Sequence, residues 1–289
     1  MTQHALYQWP HPLALYPDRG KKSYRMKRLR YRLRSLLHRQ AIKKFEYFVN
    51  QNVSLVPLLN ARPDFSYPLA HRFLDKRFSA KQRLDAMCDN LTFLPEKLTA
   101  LGLPPLWQQA ISFGEVIPDF EMTLSMTTHQ PMEGYWVLEL WHKPRNELVY
   151  LLTFAKLGEA LLISVVQGPN FEGSKEMVKQ LTKTCYGLRP AYLMVETMKA
   201  LTKVLGFNQL LGIPQKYQNK SRFIQSSHYV VDYDVIFAES GGQLKDYWEL
   251  PLEIDRNLDD VPSKKRSMYR KRYAMLDNLG KVIEEKLEL

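Results

Sequence analysis

The stretch Phe120–Gln167 reads FEMTLSMTTHQPMEGYWVLELWHKPRNELVYLLTFAKLGEALLISVVQ, and its period decides the fold class. Phe120, Met122, Leu124 and Met126 alternate with Glu121, Thr123, Ser125 and Thr127. Successive side chains of a strand point to opposite faces, so this pattern gives a strand with one face buried. Tyr135–His142 reads as a second strand, and Lys143-Pro144-Arg145-Asn146 supplies turn chemistry after it. Glu147–Ala155 is a third strand, reversed at Leu157-Gly158-Glu159 into a fourth, Ala160–Gln167. Connections this short join antiparallel neighbours, so the region is a meander.

Downstream the period becomes helical. A helix begins at Gly173-Ser174 and runs to Tyr186, with Gly187 suited to end it. Pro190 suits the first turn of a second helix through Leu205, which Gly206 ends. Phe207–Ile213 is a short apolar strand, and the intervening helices make it parallel to the strand ending at Gln167. Residues 216–226 are a candidate helix. His228–Phe237 and Lys245–Ile254 read as two further strands around Gly241-Gly242. A last helix starts after Pro262, with Ser263 as N-cap and Tyr269, Tyr273 and Leu276 on its inner face.

Upstream, residues 50–118 are broken by Pro57, Pro63, Pro68, Pro95, Pro104 and Pro105 and read as short helices and loops. Ser79 caps an expected helix to Asn90. Before them, Leu29, Leu33, Leu36, Leu37, Ala41, Phe45 and Phe48 recur at helical spacing as an expected packing face. Arg25, Arg28, Arg32, Arg39 and Lys43 fall on an arc of about 60° beside it. The reading is an α+β chain: a basic helical region over 1–114, then an α+β core over 115–289 built on a mostly antiparallel sheet with a helical crossover.

The chain has 289 residues and a formal net charge of +11, enough length for a large core without disulfides. Its two cysteines, Cys88 and Cys185, form no paired motif and suit a reducing compartment. The start carries Pro10, Pro12 and Pro17 and no apolar core, unlike a secretory signal. The longest apolar run, Ala160–Val166, is too short for a bilayer span. The expected location is cytoplasmic, peripheral on the inner membrane if the basic helix binds lipid. No acidic residue occurs from Arg19 to Phe45, and Lys264–Arg272 is a second basic block. Fields of this sign attract phosphate, whether of lipid, coenzyme or nucleic acid. Arg28, Arg32, Lys264, Arg266 and Arg270 are therefore candidate anion-binding residues. The bland alternatives are a solvated helix face at the N-terminus and closure of the fold over acidic residues at the C-terminus.

The order of elements resembles the core of the GCN5-related N-acyltransferase fold. That resemblance implies a coenzyme pyrophosphate on backbone amides at the start of the crossover helix. Gln167-Gly168-Pro169 and Tyr186-Gly187-Leu188-Arg189-Pro190 are the nearest candidates for its Q/R-x-x-G-x-G/A loop, and neither matches. An extra helix also intervenes. Gln167, Gly168, Gly187 and Arg189 are the cofactor-binding candidates, with Arg189 supplying charge where glycines are missing. Its alternative role is to tie a helix junction.

A second likeness rests on particular residues. Gln167-Gly168, Tyr186-Gly187-Leu188-Arg189-Pro190, Leu211-Gly212-Ile213, Tyr233-Asp234, Glu239-Ser240-Gly241-Gly242 and Val261–Tyr273 carry it. Over about residues 115–280 the chain resembles the VirK/YbjX family of bacterial proteins. Two departures stand out. Pro214-Gln215-Lys216-Tyr217 replaces the family's Ser-Asn and following His, and Val235-Ile236-Phe237 replaces its Phe-Trp pair. A role carried by that His would be missing here. The resemblance implies a Gram-negative bacterial setting with virulence and envelope phenotypes, including tolerance of cationic antimicrobial peptides. It implies no particular reaction.

Among catalytic candidates, His228 and Asp232 form an H-x-x-x-D that would share one strand face. Asp234 and Glu239, in an expected loop beside Gly241-Gly242, are candidate general bases, or else ion-pair partners of the basic C-terminal helix. Glu139, between Val137 and Trp141, points either inward or to solvent. The chain lacks a G-x-S-x-G, a Walker loop, an H-E-x-x-H and any His/Cys cluster, so a locally built metal site is not expected. Three functions remain open. The first is acyl transfer from acyl-coenzyme A or acyl carrier protein to an envelope component. The second is a non-enzymatic role on an anionic membrane surface, aiding display of a surface component. Nucleic-acid binding is third, because charge is present without a recognition module.

Overall fold

The computed structural model describes residues 6–20, 23–128, 130–169, 171–219, 232–259 and 261–287. The elements run α1 (Pro12–Leu15), α2 (Arg25–Leu37), α3 (Arg39–Gln51), α4 (Leu55–Ala61), α5 (Tyr67–Ala70), α6 (Ala80–Ala100), β1 (Ile111–Ile117), β2 (Phe120–Met126), β3 (Trp136–His142), β4 (Glu147–Leu157) and β5 (Ala160–Gln167). They continue with α7 (Ser174–Thr184), α8 (Pro190–Val204), β6 (Leu210–Gly212), α9 (Tyr233–Glu239), β7 (Gln243–Leu244), β8 (Trp248–Leu250) and α10 (Ser263–Leu287).

Among the described residues the strands form one eight-stranded sheet in the order β1-β2-β3-β4-β5-β6-β8-β7. Every pairing is antiparallel except β5 with β6. The meander read from residues 120–167 is present, with Met122 opposite Leu140 and Leu138 opposite Leu152. Ala160 to Val166 of β5 are all buried, so both faces of that strand are covered. Helices α6 and α8 pack on β4, and α10 packs on α8 and reaches β1 at the edge of the sheet. One cluster of buried apolar side chains runs from Tyr7 through Phe45, Leu98 and Ile163 to Leu287.

Several elements differ from the reading of the sequence. Helix α6 does not stop at Asn90 but continues through Pro95 to Ala100. Its start is as expected: Ser79 and Gln82 form a reciprocal capping box. Proline removes the bond to the Leu91 carbonyl, yet Leu91, Phe93, Leu94, Pro95 and Leu98 are all buried, and that burial offsets the loss. Strand β1 lies where only helices and loops were expected. Its register shifts between Ser112 and Glu115 and again before Ile117, which blurs the alternation. Residues 233–237 are helical rather than a strand. The Asp232 carboxylate accepts from the amides of Asp234 and Val235 and caps α9. A short apolar run such as Val235-Ile236-Phe237 has no period that separates strand from helix. The candidate helix at 216–226 is a 3-10 turn over Gln215–Tyr217, and its remainder lies outside the described residues. Helix α10 starts at Ser263 itself, and its buried residues are Leu276, Leu279, Ile283 and Leu287, with Tyr269 and Tyr273 half-buried.

The largest departure is at the N-terminus. The expected single basic helix is two, broken at His38. Phe45 is buried as expected, but Leu29, Leu33, Leu36 and Leu37 are 48, 58, 69 and 78% exposed. The opposite side of α2 faces the protein. Tyr31 stacks on Trp9, with centroids 6.1 Å apart, and its hydroxyl donates to the Pro10 carbonyl at 3.0 Å. Arg28 donates to Asp18 at 2.8 Å and to the Tyr16 carbonyl at 2.9 Å. An aromatic ring with a satisfied hydroxyl thus holds the inward side, and the leucines are left facing water.

Asn90 joins α6 to the sheet. Fully buried, it donates to the Ala86 and Lys156 carbonyls at 2.8 and 2.9 Å and accepts from the Lys156 amide at 2.7 Å. Asn90→Ala leaves both Lys156 backbone groups without these partners. It should lower the urea-unfolding free energy by about 1–3 kcal/mol.

His71 gives a pH signature. Burial, then Arg34, Arg72 and Arg83, push its imidazole from 6.5 down to about 4. Folding therefore excludes its proton: the contribution is intact above about pH 6.5 and is lost as pH falls toward about 4. The His71→Gln variant should show a shallower loss of stability across that window, measured by urea unfolding at several pH values.

Candidate functional site

Strand β5 has two halves. Leu161, Leu162 and Ile163 pair in parallel with Leu210, Leu211 and Gly212, and the Ile213 amide reaches the Ile163 carbonyl at 3.0 Å. At Ser164 the register with β4 shifts: Thr153 faces Val165, and Phe154 faces Ile163. This is a bulge, which bends the strand carrying it. The Ser164 hydroxyl is held by the Glu133 carbonyl and by the Thr153 carbonyl at 3.0 Å. Beyond the bulge β5 stays with β4 as far as Gln167, while the other chain leaves at Pro214. Among the described residues no strand pairs with the β6 side of β5 after Ile163. The two strands open as a fork, with Gln218 reaching the Ser164 carbonyl at 3.4 Å.

The segment leaving the fork is clamped by the N-terminal region. The Lys76 amide donates to the Tyr217 carbonyl at 3.0 Å, and Asn219 donates to the Leu74 and Met132 carbonyls at 3.1 and 2.8 Å. Arg77 is the centre of the clamp. It pairs with buried Asp75 and with Asp246, each at 2.7 Å, and lies 3.5 Å from the centroid of the Tyr217 ring. The Tyr247 hydroxyl also donates to Asp75, at 2.8 Å. The two carboxylates hold the Arg77 guanidinium well above its usual range, against some loss from burial. Nothing in the sequence singled this cluster out, because its members are spread from 75 to 247.

Helix α8 packs on β4 and β5, and its start lies by the end of β6, since Tyr192 meets Glu239 of α9 and Phe237 of α9 packs against Gly212. Arg189 is the N-cap residue of α8 and is exposed, as is Gly187. Tyr192 lies one turn on. Its hydroxyl meets the Glu239 carboxylate at the end of α9, and Arg189 interacts with it. Burial and that carboxylate push the phenol up to about 12. The spacing of Arg189 and Tyr192 puts them on one helix face, a signal that the sequence held and that was not read. Gln167 is exposed at the end of β5, and Gly168 packs so closely that an added Cβ would sit 3.1 Å from the Tyr150 ring.

Other candidates are placed elsewhere. Asp234 lies in the first turn of α9, not in a loop, and its Oδ1 accepts from the Gln215 amide at 3.0 Å and Trp248 Nε1 at 2.8 Å. It ties α9 to β8 and to the end of the fork. Glu239 ends the same helix. His228 lies outside the described residues, and Asp232 serves as the α9 cap. Arg28 is paired with Asp18, while Arg32 is exposed. Arg266 donates to the Val261 and Asp259 carbonyls, whereas Lys264 and Arg270 are exposed. Arg272 donates twice to the Tyr186 carbonyl, at 3.2 and 2.8 Å, and closes the α7–α8 junction. Glu139 is half-buried and accepts from Ser125 at 3.0 Å and from Trp141 at 3.2 Å. Burial pushes both cysteine thiols up to about 12, so neither is a thiolate near neutral pH. A cleft of about 460 Å³ between α8 and α10 is lined by Glu196, Lys199 and Lys203 and not by these candidates.

Comparison with known proteins gives a match over residues 20–285 to the family described as Protein of unknown function (DUF535). The chain belongs to the DUF535 family. This DUF535 chain is 74% identical over 289 residues to an uncharacterized protein of Haemophilus influenzae, covering 100% of the chain and 99% of the relative. It is 72% identical over 216 residues to a Mannheimia haemolytica protein named Membrane protein LapB, covering 75% of the chain and 95% of the relative. It is also 27% identical over 280 residues to Uncharacterized protein YbjX of Escherichia coli (strain K12), covering 89% and 81%. The VirK/YbjX resemblance read from the motifs is borne out. No solved structure matches the DUF535 chain. Among its described residues, no helix is long and apolar enough to cross a membrane.

The clamp gives a test. Arg77→Met leaves the buried Asp75 carboxylate without its cation and should cost about 3 kcal/mol. Adding Asp75→Asn should recover part of that loss. Amide exchange at residues 215–219 should speed up in the single variant before it does elsewhere.

Proposed function

We propose that this protein transfers an acyl group from a thioester donor, acyl-coenzyme A or acyl carrier protein, to an amine or hydroxyl of an envelope component. The observation that carries the reading is the fork. Among the described residues, no strand pairs with the β6 side of the second half of β5, and an extended amide-bearing arm binds such an edge by adding as a strand. The phosphopantetheine arm common to both donors has that chemistry. The strand order, with one parallel pair, a helical crossover and a final hairpin, supports the resemblance to the GCN5-related fold.

In this mechanism Arg189 and the amide of Ala191 hold the donor phosphate at the start of α8. Pro190 has no N–H, and the amides of Tyr192 and Leu193 turn back to the Arg189 carbonyl, so the arginine carries much of the charge pairing. The acceptor nitrogen or oxygen attacks the thioester carbonyl, the new C–N or C–O bond forms, and the C–S bond breaks. Glu239 takes the acceptor proton. Tyr192 keeps its own proton at neutral pH and delivers it to the leaving thiolate. Transfer of the Glu239 proton to the resulting phenolate resets the pair. Asp234 serves by fixing α9, and with it Glu239, against Gln215 and Trp248.

The reading is tested by thermal shift and native mass spectrometry with acetyl-coenzyme A, a long-chain acyl-coenzyme A and acyl carrier protein. A donor at 100 times its Kd should stabilise the fold by about 2.7 kcal/mol. Arg189→Ala should abolish the shift, and Tyr192→Phe should leave it in place while slowing turnover. No shift with any donor would overturn the reading.

A further inference from the structure

Helix α2 packs the wrong way round for a helix whose apolar face belongs to the core. Taking 100° per residue, Leu36, Leu29, Leu33, Met26 and Leu37 fall within an arc of about 100°. All five are exposed, with Met26 at 61%. The inward face, centred near Tyr31 and Ser35, lies roughly opposite. Ser35 accepts from Trp9 Nε1 at 3.0 Å, and Tyr31 is buried on Trp9, so this orientation is fixed by contacts on the far side. The apolar stripe is therefore the outer surface of the protein.

Its borders are cationic on both sides. Arg25 and Arg32 flank one edge, and Arg30 and Arg34 flank the other. Arg25, Arg30 and Arg32 are exposed, as are Lys27 and, just beyond the break at His38, Arg39, Lys43 and Lys44. No acidic residue occurs from Arg19 to Phe45. An apolar stripe between basic borders is the pattern of a helix lying in a membrane interface, with leucines about 5–10 Å into the acyl boundary and cations at the headgroups.

We propose that α2 docks this protein on an anionic bilayer surface, inserting the Met26–Leu37 stripe while the flanking arginines meet lipid phosphate. The borders decide against a second copy of the chain as occupant. Two such faces brought together would set arginine rims within a Debye length of about 8–10 Å of each other, with no carboxylate of α2 between them. They decide against nucleic acid too, since phosphate pairing gives the leucines nothing to cover them. The inference is independent of acyl transfer: the stripe lies on α2, and the fork is built by β5, β6 and α8.

The test is flotation of the full-length protein with vesicles of phosphatidylcholine alone or with about a third phosphatidylglycerol, a composition giving the negative surface the proposal needs. Wild type should float with the anionic vesicles and not with the neutral ones, and high salt should weaken the association. Leu33→Ser with Leu36→Ser should reduce flotation at least tenfold with an unchanged Tm, because both side chains are exposed. Arg30→Glu with Arg32→Glu should do the same. Flotation unaffected by either pair, or no flotation of wild type, would overturn the proposal. So would a wild-type dimer in light scattering that the leucine pair converts to monomer without vesicle binding, or binding to duplex DNA without binding to vesicles.

Discussion

The parallel pairing of β5 with β6 is the constraint from which the arrangement of the second half of the chain follows. Two parallel neighbours cannot be joined by a turn, so the chain must cross over. Helices α7 and α8 do this, and α8 starts by the end of β6, where Tyr192 meets α9. β5 is buried on both faces, and α8 packs on it and on β4. The Ser164 bulge then ends the pairing after three residue pairs. A strand pair that opens where a helix begins gathers backbone, charge and carboxylate at one end of the sheet.

Many of the residues that carry the family resemblance serve this geometry directly. Gly212 has the Phe237 ring where a Cβ would be, only 2.7 Å away, so no larger residue lets α9 pack on β6. Tyr186 and Gly187 both take positive φ, 53° and 78°, to turn the chain between α7 and α8. Arg272 of the basic C-terminal block closes that turn. Asp234 binds α9 to β8. The motif is thus largely a description of how the fork is held. Arg189, Glu239 and Tyr192 differ from these in facing one another at the exposed start of α8.

The meander was legible in the sequence where one-sided burial writes a period of two, as in β2, and β5, buried on both faces, was read with its bounds intact, whereas β1 was missed. The same logic misplaced α2. Its leucines carry a helical period, but period alone says that a face is apolar, not what it packs against. The deciding contacts, Trp9 and Pro10 with Tyr31 and Asp18 with Arg28, join residues that no local pattern links. Helix α6 was cut short because proline is read locally, whereas the burial that offsets it is tertiary. The Asp75–Arg77 clamp was invisible for a similar reason, since its partners Tyr217 and Tyr247 lie far along the chain. Arg189 and Glu239 were picked out separately, and Tyr192, the residue that joins them, was not.

The most direct measurement is amide hydrogen exchange with and without a non-hydrolysable acyl-coenzyme A analogue. The fork reading predicts new protection at Val165–Gln167 and at Ala191, with little change along the α8–α10 cleft. Protection confined to that cleft, or none at the β5 edge under saturating analogue, would contradict it.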